Sequence, residues 1–205
     1  MGLFLAMSGI AGTTSSDVER VLREYAPKKS RKLEPVSAGD DDSLVIVDSP
    51  QGNVTVLYPG DFLDWDEASA FLSSELNRPV FSLHVHDGDL WMYVFFVDGE
   101  ESGRFNPLPE YWDDSISVEE RESWAGDASI LCLHWPGIAE EDIKNYLIHW
   151  DLDQLSEGLQ TKAYPEDEYP IGQDWQICDF MKKISLIYPI DEKGAKLGKS
   201  YQFTE

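Results

Sequence analysis

The spacing of apolar residues near the start of the chain predicts a strand followed by an amphipathic helix. Residues 2–8 form a short apolar run, which is typical of a buried strand. The next apolar positions recur at helical spacing, and they are Val18, Val21, Leu22 and Tyr25. Ser16 and Glu19 stand where a capping box would begin this helix. Pro27 and the basic run over residues 28–32 are predicted to end it in an exposed loop.

A β-rich pair of segments and a second helix come next. Residues 44–48 and 53–58 flank Pro50 and Gly52, which stand where a tight turn needs such residues, so this region is predicted to form a hairpin. Asp64 is predicted to cap a helix that runs to about residue 76. The apolar face of this helix would consist of Trp65, Ala68, Leu72 and Leu76.

A second hairpin is the clearest local signal in the sequence. Residues 80–86 and 89–97 are separated only by Asp87-Gly88, the dipeptide that type I′ turns prefer. A two-residue loop would pair His86 with Asp89, His84 with Trp91, Ser82 with Tyr93 and Val80 with Phe95. The core face of the hairpin is then predicted to be wholly apolar, with Phe81, Leu83, Val85, Leu90, Met92, Val94 and Phe96.

The opposite face of this hairpin is the candidate binding surface. Beside the apolar Val80, Phe95 and Val97 it holds Ser82, His84, His86, Asp89, Trp91 and Tyr93. Such a mixture either packs under another segment through hydrogen-bonded rings or forms a binding surface, and burial by the C-terminal half is the favoured alternative of the two. His84, His86 and Asp89 could also share a metal, but no further ligand follows at a fixed spacing. We therefore predict no metal and no cofactor.

The second half of the chain begins with a Pro-rich, aromatic stretch over residues 104–114, which predicts a packed irregular connection. Ser117 and Glu120 form a capping box for a short helix that would end near Gly126.

Three more elements are predicted from apolar spacing after this helix. Residues 129–135 are predicted to form a strand in which Cys132 alternates with its apolar neighbours. Residues 139–150 and 173–184 carry apolar residues at helical spacing and are predicted to be helices.

These elements predict an α+β protein with a mixed or antiparallel sheet, built from two hairpins plus additional strands, with helices packed on it. A ferredoxin-like arrangement of the N-terminal half is one candidate among several. No Gly/Ser-rich linker divides the sequence, so one domain over residues 1–205 is predicted. Within it, residues 1–103 would form a strand, helix and hairpin half, and residues 104–205 a mainly helical half.

Charge is the most uneven property of the sequence. The net charge is −23, and residues 33–181 contain 33 acidic and 5 basic residues, a net of −28. Such a field repels nucleic acid and anionic lipid, and it accelerates association with a basic partner. Acidic surfaces also serve simply to keep proteins in solution. Charge thus argues against nucleic acid and membrane as ligands.

The two cysteines, Cys132 and Cys178, are few for a chain of 205 residues, which is typical of a reducing compartment. The apolar start of the chain lacks the basic residue that precedes the apolar run of a signal peptide. We expect free thiols and a cytoplasmic location.

Catalytic motifs were sought, and the sequence has no nucleophile elbow, P-loop or dinucleotide fingerprint. The stretch Leu108-Pro109-Glu110-Tyr111-Trp112 resembles the Leu-Pro-x-x-Tyr stretch of the SMI1/KNR4-like proteins, among which are bacterial toxin-immunity proteins. The resemblance covers five residues, and the Asn-Gly-Gly turn expected after it is missing. The chain is not assigned to that family.

Two functions remain open at this point. The first is a non-catalytic interaction protein, immunity-like or regulatory, that binds a basic protein partner. The alternative is a metal-dependent or hydrolytic enzyme that uses the strand face with His84, His86 and Asp89. The sequence leaves the partner, any substrate and the oligomeric state open.

Overall fold

A computed structural model describes residues 2–37, 42–151 and 161–205. The strands are β1 (Leu5–Ile10), β2 (Lys32–Pro35), β3 (Leu44–Asp48), β4 (Val54–Leu57), β5 (Val80–His86), β6 (Leu90–Val97), β7 (Glu100–Phe105) and β8 (Lys199–Thr204). They form one eight-stranded sheet in the order β2-β8-β3-β4-β1-β5-β6-β7. Every neighbouring pair is antiparallel.

Six α-helices accompany the sheet in the described ranges. They are α1 (Ser15–Tyr25), α2 (Trp65–Leu76), α3 (Val118–Ser123), α4 (Ala128–His134), α5 (Glu140–Ile143) and α6 (Gln176–Lys183). Short 3-10 helices cover Ala26–Lys29, Pro109–Tyr111 and Lys144–Tyr146. The predicted α+β fold with an antiparallel sheet is confirmed. None of these helices is both long and apolar enough to cross a membrane.

The sheet separates two hydrophobic cores, one on each face. Helices α1 and α2 cover one face, and the predicted stripe of α1 lies in that core with Ile46, Val56 and Tyr58. The chain after β7 covers the other face, where Leu131, Trp135 and Phe180 pack against β5 and β6. The sheet is therefore buried on both sides over much of its area.

The N-terminal half has the β-α-β-β-α-β connectivity of a ferredoxin-like unit. Strands β1, β3, β4 and β5, with α1 and α2 between them, pair in the order β3-β4-β1-β5. The hairpin of β3 and β4 is confirmed, with Asp48 opposite Val54 and a turn in which Gly52 N–H donates to Ser49 C=O at 3.0 Å. Strands β6 and β7 extend one edge of this unit, and β8 and β2 extend the other.

Two predicted helix caps were wrong in detail. The cap of α1 is Thr14, whose hydroxyl accepts the Asp17 N–H, so the helix begins before Ser16. Asp64 does precede α2, but its side chain forms no cap hydrogen bond. Its carboxylate instead forms an ion pair with Lys29, at 3.2 Å from Nζ.

The basic run after α1 is not an exposed loop. Pro27 does not end the helical conformation, because a 3-10 helix, Ala26–Lys29, continues from α1. Lys32 then begins β2, which pairs with β8. Four-residue β2 and the distant β8 lacked a sequence signal strong enough to predict them.

The segment 129–135 is helix α4 and was wrongly predicted as a strand. The Asp127 carboxylate accepts the Ser129 and Ile130 amides and so starts a helix. Leu131 is buried whereas Leu133 is 76% exposed. Residues two apart share a face in a strand but not in a helix, so this difference is typical of a helix. A short apolar run is compatible with a strand or a helix, and here the Asp127 cap selects the helix.

The other predicted elements of the second half are confirmed in part. Ser117 accepts the Glu120 amide at 3.0 Å and caps α3 as predicted. The single helix expected over 139–150 is instead the short α5 followed by a 3-10 helix. The helix expected over 173–184 is α6, which begins at Gln176.

Candidate functional site

The β5–β6 hairpin exists, but its register differs from the prediction by one residue. Asp87 and Gly88 both have positive φ, +54° and +72°, as a type I′ turn requires. The loop, however, also includes Asp89, and His86 pairs with Leu90. The Gly88 N–H donates to Leu3 C=O at 2.9 Å, so part of the loop hydrogen-bonds to the start of β1. A one-residue shift turns every side chain of β6 to the other face.

This shift separates the aromatic residues of β6 from the histidines of β5. Val85 pairs with Trp91 and Leu83 with Tyr93, so both rings lie on the face covered by the C-terminal half. Trp91 and Tyr93 are fully buried there. Trp91 Nε1 donates to Gln176 Oε1 at 3.1 Å, and Tyr93 stacks on Phe180. These two candidates are core residues. The face predicted to be wholly apolar does not form as such: Phe81, Leu83 and Val85 lie with Trp91 and Tyr93, whereas the residues predicted to share their face lie on the face of His84 and His86, and they are Leu90, Met92, Val94 and Phe96.

The inner part of the histidine face forms a partly buried polar contact. His84 Nε2 lies 3.2 Å from Asp66 Oδ1 and 3.1 Å from the oxygen of Ser82, which is fully buried. Burial tends to raise the pKa of Asp66, but hydrogen bonds and the charge of His84 lower it overall. A hydrolase triad needs its serine and its carboxylate on different ring nitrogens. Here both contact Nε2, so the arrangement fastens α2 to β5.

Space for a substrate beside these histidines is small. The cleft between Phe4, Trp65, His84 and His86 has a volume of about 90 Å³, enough for a few water molecules. Among the described residues, no group of three or more His, Cys, Asp and Glu side chains could hold a metal ion. His84, His86 and Asp89 are therefore not brought together as a metal-binding set.

An exposed aromatic cluster lies at the tip of the same hairpin. We call Phe4, His86, Asp89, Tyr111 and Trp112 the tip cluster. The His86 ring meets Phe4 edge-on at 5.0 Å and Trp112 at 4.8 Å between centroids. Phe4 and Trp112 are 55% and 54% exposed, which is unusual for such large rings. Two of the six predicted surface residues, His86 and Asp89, belong to this cluster.

Asp89 joins the hairpin to the aromatic segment that follows β7. Tyr111 donates its phenol hydrogen to Asp89 Oδ2 at 2.5 Å. This hydrogen bond raises the pKa of Tyr111, and the charges of Asp89 and Asp87 add to the shift. The loop therefore presents its carboxylates beside the exposed rings.

Backbone hydrogen bonds hold the segment with Tyr111 and Trp112 in place. Asn106, which is buried, accepts the Leu108 N–H through its side chain at 2.9 Å. The Trp150 N–H donates to Pro107 C=O at 2.7 Å, and the Asn106 N–H donates to Trp124 C=O at 3.0 Å. The exposed rings thus stand on a fixed segment, which lowers the entropy lost when a partner binds.

Carboxylates surround the tip cluster. Asp87 and Asp89 lie in the hairpin loop, and Asp113 and Asp114 follow Trp112 directly. Hydrogen bonds from Ser115 lower the pKa of Asp113, which keeps it charged. In the described part of the chain, no Lys or Arg forms an ion pair with any of these four residues. The cluster therefore combines exposed rings with uncompensated negative charge.

Comparison with known proteins gives no further guidance. The chain matches no protein-family model, no curated protein and no solved structure at a significant level.

Phe4, Tyr111 and Trp112 were not predicted as site residues. Phe4 was assigned to a buried strand, and the aromatic pair to a packed connection. The available signal was the position of Tyr111-Trp112 between Glu110 and Asp113-Asp114, because a core segment rarely places acids on both sides of two large rings.

Proposed function

We propose that this chain is a non-catalytic binding protein, immunity-like or regulatory, that receives a basic protein partner on the tip cluster. The observation that supports the proposal is that exposed Trp112 and Phe4 lie beside hairpin-loop carboxylates that, among the described residues, form no ion pair with Lys or Arg. Tryptophan and tyrosine are enriched among the residues that dominate binding energy at interfaces. Carboxylates around them favour a partner rich in Lys and Arg over nucleic acid.

The distribution of charge over the sheet is consistent with this proposal. Strands β2 and β8 carry Lys32, Glu34 and Lys199 at one edge, a net charge of +1, whereas β7 carries Glu100, Glu101 and Arg104 at the other, a net charge of −1. Except for Phe4, the residues of the tip cluster belong to the acidic segment 33–181, of which residues 38–41 and 152–160 lie outside the described ranges. A basic partner would therefore be steered toward the β5–β7 side of the molecule.

The partner can be found by affinity capture from a lysate of the source organism and identified by mass spectrometry. We expect its association rate to fall by about tenfold when salt rises from about 0.02 M to about 0.5 M, because screening weakens steering. Reversing two charges with Asp113→Lys and Asp114→Lys should slow association, whereas Trp112→Ala should speed dissociation. Both rates can be measured by surface plasmon resonance.

Lys28→Glu is the matched charge-reversal control, because Lys28 lies in the 3-10 helix after α1 and is not part of the tip cluster. Asp114→Lys alone checks the double variant, since it leaves the Ser115 hydrogen bonds of Asp113 intact. An association rate that does not depend on salt would refute the proposal. So would weakening by Lys28→Glu alone.

The proposed location is the cytoplasm, and both thiols are consistent with a reducing compartment. Cys132 and Cys178 are free, as expected from the sequence. Burial raises the pKa of the Cys178 thiol to about 12, and the charge of Asp179 adds to the shift. Burial also raises the pKa of Cys132, which is less deeply enclosed.

We expect native protein at about pH 8 to react slowly with iodoacetamide, because the thiolate is the reactive form and a raised pKa depletes it. Cys132 should be alkylated first, and Cys178 should lag by about tenfold or more, since both its pKa and its burial oppose reaction. Peptide mass spectrometry after timed quenching measures both sites. Denatured protein is the control, in which the two rates should converge; faster native alkylation of Cys178 would contradict the prediction.

A further inference from the structure

A groove lined by aromatic rings opens on the sheet face opposite α1 and α2. It has a volume of about 960 Å³ and runs between the start of β1 and the chain around α6. Its walls are Tyr169, Trp175 and Tyr188. The Trp175 ring lies 6.2 Å from the Tyr169 ring and 5.9 Å from the Tyr188 ring between centroids. This groove is about ten times larger than the cleft beside His84, so it has room for a ligand group.

The wall that carries Tyr169 is held by a buried carboxylate. Asp179, on α6, is 4% exposed and accepts the Glu168 N–H at 2.9 Å and the Tyr169 N–H at 2.8 Å. The wall that carries Tyr188 is held by the Leu197 N–H, which donates to Pro189 C=O at 2.8 Å. The rings are therefore positioned before any ligand arrives, which reduces the cost of binding.

The charge around the groove favours a cation. Glu168, Asp191 and Glu192 line it with a single base, Lys182. Lys182 Nζ lies 2.8 Å from Glu168 and 3.4 Å from Asp179, so its charge is already matched within the protein. Trp175 is 40% exposed and offers an accessible ring face. Asp191 and Glu192 have no ion pair with Lys182, and aromatic rings together with such carboxylates are the features that bind organic cations.

We infer that this groove receives an arginine side chain of the basic partner. This inference rests on the proposed function and names the group that the partner inserts. A guanidinium is flat and weakly hydrated, so it stacks on aromatic rings and reaches carboxylates at the rim better than a lysine ammonium does. The 960 Å³ volume also accommodates the long side chain.

The groove and the tip cluster are parts of one end of the molecule. Leu3 lines the groove, whereas the next residue, Phe4, belongs to the tip cluster. Leu3 C=O also accepts the Gly88 N–H of the hairpin loop at 2.9 Å, so the groove borders the loop that carries Asp89. One partner can therefore contact both.

Titration with N-acetyl-arginine amide tests the groove without a partner. The seven tryptophans give indole N–H signals in a 15N-labelled sample, and Trp175→Phe assigns the signal of Trp175. We expect this signal to move saturably with a dissociation constant of about 1–10 mM. N-acetyl-citrulline amide has nearly the same shape without the charge and is expected to shift it at least about fivefold less. Equal shifts by the two amides, or no shift with the arginine amide, would overturn the inference.

Two exposed carboxylates provide a matched pair of variants. Glu192→Gln should raise the dissociation constant of the arginine amide about threefold, because it removes a rim charge. Glu75→Gln, on the exposed side of α2, should leave it unchanged. Asp191 is a poorer choice, since it accepts the Lys193 and Ala195 amides and closes its turn. If both Gln variants raise the dissociation constant equally, the arginine amide responds only to the net charge of the protein and not to the groove.

The captured partner separates this inference from the proposed function. Trp175→Leu should speed dissociation of the partner, as Trp112→Ala does. If only Trp112→Ala does so, the groove is not a subsite and the proposed function stands. If the arginine amide binds at Trp175 but association of the partner does not depend on salt, the proposed function fails and the groove remains a cation site.

Discussion

Replacing Phe180 with Ala is expected to lower the free energy of unfolding by about 4 kcal/mol, near the upper end of large-to-small core substitutions. Phe180 is fully buried on α6 and contacts four other rings. These are Phe81, Trp91, Tyr93 and Tyr146, at 5.0 to 5.9 Å between centroids. Removing the ring leaves a cavity that rigid aromatic neighbours cannot close. Urea unfolding followed by circular dichroism measures the loss.

Phe4→Ala removes the same atoms from an exposed position and serves as the control. It should change the unfolding free energy by less than about 0.5 kcal/mol. Phe180→Leu, which keeps much of the volume, should fall between the two and remains measurable if Phe180→Ala is too unstable to fold. A loss below about 2 kcal/mol for Phe180→Ala would show that the C-terminal half packs only loosely on the sheet.

Gly198→Ala is expected to cost about 3 kcal/mol, through left-handed backbone strain together with a steric clash. Gly198 has φ +94° and directly precedes β8. A methyl group there would lie 2.3 Å from Ile46 C=O and 2.9 Å from Val47 Cγ2, so the backbone of β3 would have to move. The same unfolding experiment measures the effect.

Gly194→Ala separates the two contributions. Gly194 also has positive φ, +80°, but a methyl group there would meet nothing within 4 Å. Its cost should be the backbone strain alone, about 1 kcal/mol. The difference in unfolding free energy between the two variants is then the cost of moving β8 away from β3. If the two cost the same, the close approach at Gly198 is relieved by a small shift and does not hold the strands together.

The hairpins show which part of the fold could be predicted and which could not. Asp87-Gly88 correctly predicted a tight turn, because both residues tolerate positive φ. The dipeptide does not determine how many residues the loop contains. Asp89 is the third, and the loop hydrogen-bonds to Leu3, which precedes β1, and to Tyr111. Asp98-Gly99 carries the same signature, with φ +52° and +83°, and marks the turn into β7, which was missed.

The candidate site was predictable only where local sequence determines it. His86 and Asp89 were identified because they lie at the tip of a recognisable hairpin. The segment that carries Tyr111 and Trp112 is held by hydrogen bonds from Asn106 to Trp124 and from Trp150 to Pro107, which no local pattern reveals. The walls of the groove likewise depend on Asp179 binding amides ten and eleven residues earlier in the chain. Charge segregation, in contrast, was readable from the sequence alone.

The position of β8 has a consequence for biosynthesis. This strand lies between β2 and β3 and pairs with both, although 150 residues separate it from β3 and more separate it from β2. On the ribosome, β2 and β3 therefore emerge long before the strand that joins them, and each carries an unpaired edge until then. The ferredoxin-like unit can assemble during translation, whereas the β2-β8-β3 side of the sheet must wait until residues 199–204 leave the exit tunnel. A chaperone that shields exposed strand edges would act on this side of the nascent protein.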